Sequence, residues 1–221
     1  MMNSVETMKM KQTISATLAS MLLAFGAGAQ AGVVYDNGAP DLFGGNEMTA
    51  WIQAEDFTLA STTTLTDVHF WTIEDAASAG FCGSIEYAFY ADAGGLPSLG
   101  APAFAAGTGL TRVSTGNVVF GFDEYDYSFK VAPFTATGGT TYWLALHNGP
   151  IGNDSRAEVY WETTSANSSA SGSEEILPRA GDGWSSPGAE HAFQLAAVPE
   201  PGTVALLALG LAGLGFVRRR Q

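Results

Sequence analysis

Tyr125, Tyr127, Phe129 and Val131 alternate with Asp126, Ser128 and Lys130, and this period of two recurs through most of the chain. Successive side chains of a strand point to opposite faces, so such alternation suits half-buried strands and is out of phase with a helix. Residues 140–147 repeat it, with Tyr142, Leu144 and Leu146 set against Trp143, Ala145 and His147. Residues 85–91 do so with Ile85, Tyr87 and Phe89 against Glu86, Ala88 and Tyr90. In 65–73, Val68 and Phe70 face one way while His69, Trp71 and Ile73 face the other. Further strands are expected at 33–35, 52–59, 117–122, 158–163 and 191–196, bounded by turns such as Asp36-Asn37-Gly38 and Gly138-Gly139. Residues 91–108 and 163–173, rich in Gly, Pro, Ala, Ser and Thr, read as surface loops. Some nine strands without a convincing helix predict an all-β domain over 32–197, an antiparallel β-sandwich of jelly-roll type.

Two segments depart from that pattern. Lys9 and Lys11 precede an apolar stretch at 14–25 and small residues at 26–31, the order of a secretory signal peptide. Ala29-Gln30-Ala31 supplies an A-x-A site for signal peptidase, so 1–31 is expected to be removed and Gly32 to begin the mature chain. A cut after Ala29 is the alternative, which would leave Gln30 first. At 198–221 three unlike parts follow one another: Val198-Pro199-Glu200-Pro201, an apolar run at 204–217, and Arg218, Arg219 and Arg220. The prolines fix φ and lack an N–H, which holds the backbone extended. Thr203 can cap the apolar run, and the arginines stop it at the cytoplasmic face. A run from Thr203 to Val217 makes roughly 22 Å of helix, short against a hydrocarbon core of about 30 Å.

This tripartite tail resembles the PEP-CTERM sorting signal of exported bacterial proteins, which membrane proteases called exosortases read. The resemblance implies an inner-membrane-tethered precursor in a Gram-negative-type bacterium, cut by an exosortase and delivered to the cell surface or extracellular matrix. Motif residues Val198, Pro199, Glu200 and Pro201, a short transmembrane sorting helix and the cytoplasmic stop Arg218–Arg220 follow from it. The body shows a looser likeness. Ala54-Glu55-Asp56-Phe57-Thr58-Leu59, Val68-His69-Phe70-Trp71, Phe89-Tyr90-Ala91-Asp92-Ala93-Gly94-Gly95 with Pro97, and Thr140-Thr141-Tyr142-Trp143-Leu144 occur in that order. The series resembles the jelly-roll bodies of PEP-CTERM proteins without an assigned role.

Charge narrows the functions open to the body. Residues 32–197 carry four basic residues, Arg112, Lys130, Arg156 and Arg179, against 20 acidic ones, a net of about −16. Such a surface repels phosphate backbones and anionic lipid, which argues against nucleic-acid and membrane-surface partners for the body. Cys82 is the single cysteine, so no internal disulfide forms, and a buried small apolar role is expected for it.

Candidate chemistry is sparse. His69, His147 and His191 lie on separate strands and read as half-exposed strand histidines. Glu124 and Asp126 share a strand face at a spacing that a carboxylate pair could use, though solvation of a turn explains them as well. Asp36, Asn37, Asp92 and Asp123 sit at strand ends, where a structural calcium ion could find oxygen ligands and where ordinary turns also use such residues. Trp71 and Trp143 lie opposite the clearest apolar faces of their strands, where a sugar platform would be, unless loops cover them. No cofactor is implied. The expected function is therefore a non-enzymatic exported surface or matrix protein with a structural or adhesive role. A carbohydrate-binding module for exopolysaccharide is the alternative, and a secreted hydrolase whose site is not legible in sequence is the third.

Overall fold

A computed structural model describes residues 31–75, 80–100, 102–166, 172–176, 183–186 and 188–198. The expected signal peptide and nearly all of the tail, with its expected sorting helix, lie outside the described residues. Within them every regular element is a strand: β1 Gly32–Asp36, β2 Gly45–Glu47, β3 Trp51–Thr58, β4 Thr63–Asp75, β5 Ile85–Ala91 and β6 Ala105–Ala106. There follow β7 Thr108–Val119, β8 Phe122–Ala136, β9 Thr141–Asn148, β10 Val159–Glu162, β11 Ser173–Ile176 and β12 Phe193–Ala197. No helix among them is long and apolar enough to cross a membrane.

The strands form two antiparallel sheets facing each other as a sandwich. The first is built around β4, which pairs along one edge with β8, itself paired with β7. Two short strands share the other edge of β4: β12 opposite Asp67–Phe70 and β10 opposite Thr72–Glu74. β1 continues the sheet from β12, and β2 from β10. The second sheet runs β11-β3-β9-β5-β6.

The alternation read from the sequence decides what lies between the sheets. Val68, Phe70, Tyr127, Phe129, Trp161, Phe193 and Leu195 of the first sheet meet Phe57, Ile85, Tyr87, Leu144 and Leu146 of the second. Phe70 lies 5.0 Å from the Tyr127 ring and 6.1 Å from those of Phe129 and Trp161. Tyr87 crosses to Phe129 at 5.6 Å. Each such ring contributes roughly 3–5 kcal/mol against truncation to alanine. At an irregularity between Leu65 and Asp67, Thr66 alone stands against residues 131–133 of β8, and Leu65 and Val68, three apart, both face inward.

β2, β6 and β11 go beyond the strands expected from the sequence, and β6 lies within the loop expected at 91–108; two larger features also depart from that reading. Residues 117–122 are not one strand: 117–119 end β7 and Phe122 opens β8, with Val119 paired to Phe122 across the Phe120-Gly121 turn. β7 itself, expected as loop at its start, is an exposed edge strand whose Thr, Ser, Gly and Asn residues carry no apolar alternation. The second departure is a second apolar layer. Ile52, Ala54, Ala88, Tyr90, Trp143 and Ala145 on the outer face of the second sheet are buried together with Trp184. Its central strands are thus covered on both faces, and the outer face of the first sheet is the polar one.

Phe120 takes φ +53° and Gly121 φ +89°, both left-handed, as a two-residue type I′ turn requires. A phenylalanine there is strained and its ring is 75% exposed, so little burial compensates. Phe120→Asn is expected to stabilise the fold by about 1 kcal/mol, read as a higher denaturant midpoint. A lower midpoint would show that the ring packs on something the turn needs.

Candidate functional site

With Val68, Phe70, Tyr127 and Phe129 turned inward, His69, Trp71 and Ile73 of β4 and Glu124, Asp126 and Ser128 of β8 line the outer face of the first sheet. Register places Asp126 opposite Trp71, and Ser128 opposite His69, with Gln194 of β12 on the other side. His69 Nε2 lies 2.8 Å from Asp126 Oδ1, and its Nδ1 lies 3.2 Å from Gln194 Oε1. Gln194 Nε2 in turn donates to Asp36 Oδ2 at 3.1 Å. This polar string crosses four adjacent strands, and the Trp71 ring rests 4.2 Å from the imidazole. An Asp–His pair is the start of a nucleophile-activating arrangement. Here, however, the second ring nitrogen faces an amide oxygen and not a hydroxyl or thiol.

Beside this string is a pair of carboxylates. Tyr160 and Glu162 of β10 point outward because Val159 and Trp161 are in the core. The pairing of Trp161 with Thr72 sets Glu162 next to Trp71. Glu162 is fully buried, and neither oxygen has a hydrogen-bond partner. Burial first, then the carboxylates of Glu124 and Asp41, push its pKa up to about 8; the Leu42 backbone acts weakly the other way. Glu124 is itself buried and accepts from the Thr115 hydroxyl and, at 2.8 Å, from Asn117 Nδ2. The bulge between Ser114 and Val118 in β7 is what brings those two donors over β8.

Other buried charges are compensated. Glu74 accepts from Thr72 Oγ1 at 2.8 Å, Tyr127 Oη at 2.6 Å and Arg112 Nη2 at 2.6 Å, while that guanidinium lies 3.4 Å over the Tyr125 ring. Glu55 Oε2 accepts the His191 backbone N–H and faces its Nδ1, both at 2.8 Å. Burial pushes the Glu55 carboxyl up. Trp161 stacks on the His191 ring at 4.7 Å, and even a Cβ on Gly172 would meet Glu55 and His191 at 3.0 Å. The pair is sealed inside the sandwich.

The sequence-predicted residues are placed as follows. Trp143 is buried beneath the second sheet's outer layer and donates its Nε1–H to Asp92 Oδ1 at 3.0 Å, so it offers no face to a sugar. Trp71 is half-buried on the opposite sheet, and the two share no platform. His147 and His191 are fully buried, not half-exposed; the His147 ring is held between the carbonyls of Thr49 (2.7 Å) and Gly149 (2.8 Å). Glu124 and Asp126 share the outer face but are bound by different neighbours, Thr115 and Asn117 for one and His69 for the other. Asp36, Asp92 and Asp123 do not converge. Asp36 Oδ1 accepts the Gly38 N–H, and Asp92 accepts those of Gly94 and Gly95, as turn residues do. Asn37 is buried and donates to the His191 carbonyl. Among the described residues no three Asp, Glu, His or Cys side chains form a metal-holding cluster. Cys82 is exposed rather than buried, with Asn153 Nδ2 3.3 Å from its sulfur, and partial burial pushes its thiol up. Val198 is exposed at the end of the described chain; Pro199, Glu200, Pro201 and Arg218–Arg220 lie outside it. Glu162 went unremarked in the sequence, although its outward parity with Tyr160 could have placed it on this face.

Raised above the ordinary value of 4.5, Glu162 keeps a proton in the folded state that the unfolded chain gives up. Its contribution to stability is complete below about pH 4.5 and is lost as pH rises through about 8. In chelator-treated buffer the melting temperature is expected to fall across this window, and Glu162→Gln to flatten the fall. Equal slopes in the two proteins would contradict the placement of Glu162.

Comparison with known proteins bears on the tail. No curated protein and no solved structure matches the chain. Residues 197–220, however, match the PEP-CTERM protein-sorting motif, and the chain thereby carries the signal by which an exosortase sorts an exported protein.

Proposed function

We propose that the chain is an exported bacterial protein whose tail an exosortase cuts, and whose body serves a structural or adhesive role at the cell surface or in the extracellular matrix. The observation that carries this is the boundary between body and motif. β12 ends at Ala197, where the matched motif begins, and Val198 is already exposed. Gly32 pairs with Ala197 in the β1–β12 register. The expected mature N-terminus and the start of the motif thus leave the sheet at one point, so both processing events would work on the same end of the sandwich. Two strand sets support a jelly-roll reading of the body: β1-β12-β4-β8 facing β3-β9-β5-β6, with successive strands passing between sheets as in paired Greek keys. A non-enzymatic body is supported by the buried Glu55–His191 pair and by the amide on the second nitrogen of His69.

An extended segment held by Pro199 and Pro201 suits a protease cleft that accepts strand-like substrates, and Glu200 adds a charge for it to recognise. Glu200→Ala or Pro201→Ala is expected to leave export intact while trapping a full-length form in the membrane fraction. Arg218–Arg220 changed to Gln should instead weaken retention before cutting. Mass spectrometry of the exported wild-type protein decides: a mass that still includes 204–221 would make the tail a permanent anchor.

One observation favours a carbohydrate-binding reading of the body: the half-buried Trp71 ring beside His69 and Asp126 is an aromatic face with polar groups at its edge. On that reading Trp71→Ala weakens retention on the host's exopolysaccharide with little change in melting temperature. Unchanged retention would rule it out, and Trp143→Ala serves as the contrasting core change that costs about 3–5 kcal/mol.

A further inference from the structure

We propose that Glu124 and Glu162 hold a calcium ion on the outer face of the first sheet. Glu162 is fully shielded from solvent, yet neither carboxylate oxygen has a hydrogen-bond partner. A buried ionised carboxylate is tolerated only when paired, hydrogen-bonded or bound to a metal. The other buried acids obey this rule through Arg112, through His191, or through backbone and hydroxyl donors. Glu162 has no donor in good hydrogen-bond geometry; the Leu42 backbone favours its charged form only weakly, and what faces it is a second buried carboxylate. Nor can basic side chains supply the missing charge readily: between the two sorting segments there are four, of which Arg112 is engaged by Glu74 and Arg156 by Glu158.

A cation therefore fits the pair better than any protein group at hand. The donors are all oxygen: two carboxylates, with the Thr115 hydroxyl on Glu124. Nitrogen and sulfur ligands, which would favour zinc or copper, are missing from the site as described, and hard oxygen donors select calcium or magnesium. Calcium accepts irregular geometry and carbonyl oxygens, whereas magnesium demands a near-octahedral shell and keeps its waters. The pair lacks the third acidic ligand of a tight site, which places it with extracellular modules at about 10⁻⁴–10⁻³ M. The body's net charge of about −16 raises the local concentration of divalent ions around it.

The test uses the exported protein purified from its host. Terbium serves as a luminescent calcium substitute, excited through Trp71, which register sets beside Glu162. Sensitised emission that calcium competes away is expected in the wild type, and its loss in Glu162→Gln and in Trp71→Phe. In parallel, about 5 mM calcium should raise the melting temperature by about 3–6 °C over chelator, with no rise in Glu162→Gln. The Gln variant keeps the volume and removes the charge, so its stability in chelator should match or exceed the wild type. Glu124→Gln gives a second reading of the same loss should that variant fold poorly. The proposal is overturned if wild-type melting is the same in calcium and chelator. It is overturned equally if magnesium at equal concentration reproduces the shift, which would indicate screening of the acidic surface, or if both Gln variants keep the full calcium response.

Discussion

Strand β4 is the constraint on which the rest of the molecule depends. It is bonded to three strands at once, to β8 along one edge and to β12 and β10 end to end along the other. Its inner face gives Val68 and Phe70 to the core, and Phe70 is ringed by Tyr127, Phe129 and Trp161. Its outer face gives His69 and Trp71 to the polar surface. One register thus sets both the packing between the sheets and the polar string from Asp126 to Asp36. A slip by one residue would exchange the two faces, so the aromatic core is what holds the surface groups in place.

The two sheets are not equivalent. The second is covered on both faces, inward by the aromatic core and outward by a layer closed over Tyr90 and Trp143 by Trp184. Apolar area removed from water on both sides of β3, β5 and β9 makes this sheet the rigid half. The first sheet leaves one face to solvent, and there the unusual electrostatics gather. Buried carboxylates elsewhere meet a cation or several donors: Glu74 has Arg112, Tyr127 and Thr72, and Glu55 has His191. Removing one partner of such a pair is costly because a bare charge stays behind. Glu162 has no such partner in hydrogen-bond geometry, and burial beside Glu124 favours its protonated form instead.

Much of the architecture was legible in the chain itself. Tyr125 to Val131, Tyr142 to Leu146 and Ile85 to Phe89 alternate as they do because one side of each strand is apolar, and the structure puts those sides in the core. β7 was not legible, since an edge strand exposed on most of its length has no apolar period to show. Trp143 illustrates a different limit. Its parity correctly put it on the outer face of its strand, but whether water or a loop covers that face depends on Trp184, some forty residues away in the chain.

The sorting tail needed no fold to be recognised. Its order of prolines, apolar run and arginines is itself what the motif consists of, and residues 197–220 match it on sequence alone. The antiparallel sandwich likewise followed from a local period, because the two-residue repeat is a property of the backbone. What only the tertiary structure decided is which polar groups meet. Glu124 and Glu162 lie 38 positions apart on strands that do not pair with each other, and they approach across β4. Glu55 and His191 are joined across the sandwich in the same way. Sequence spacing carries no signal for such encounters, since they are set by strand order and register, and these are fixed only when the apolar faces close on each other.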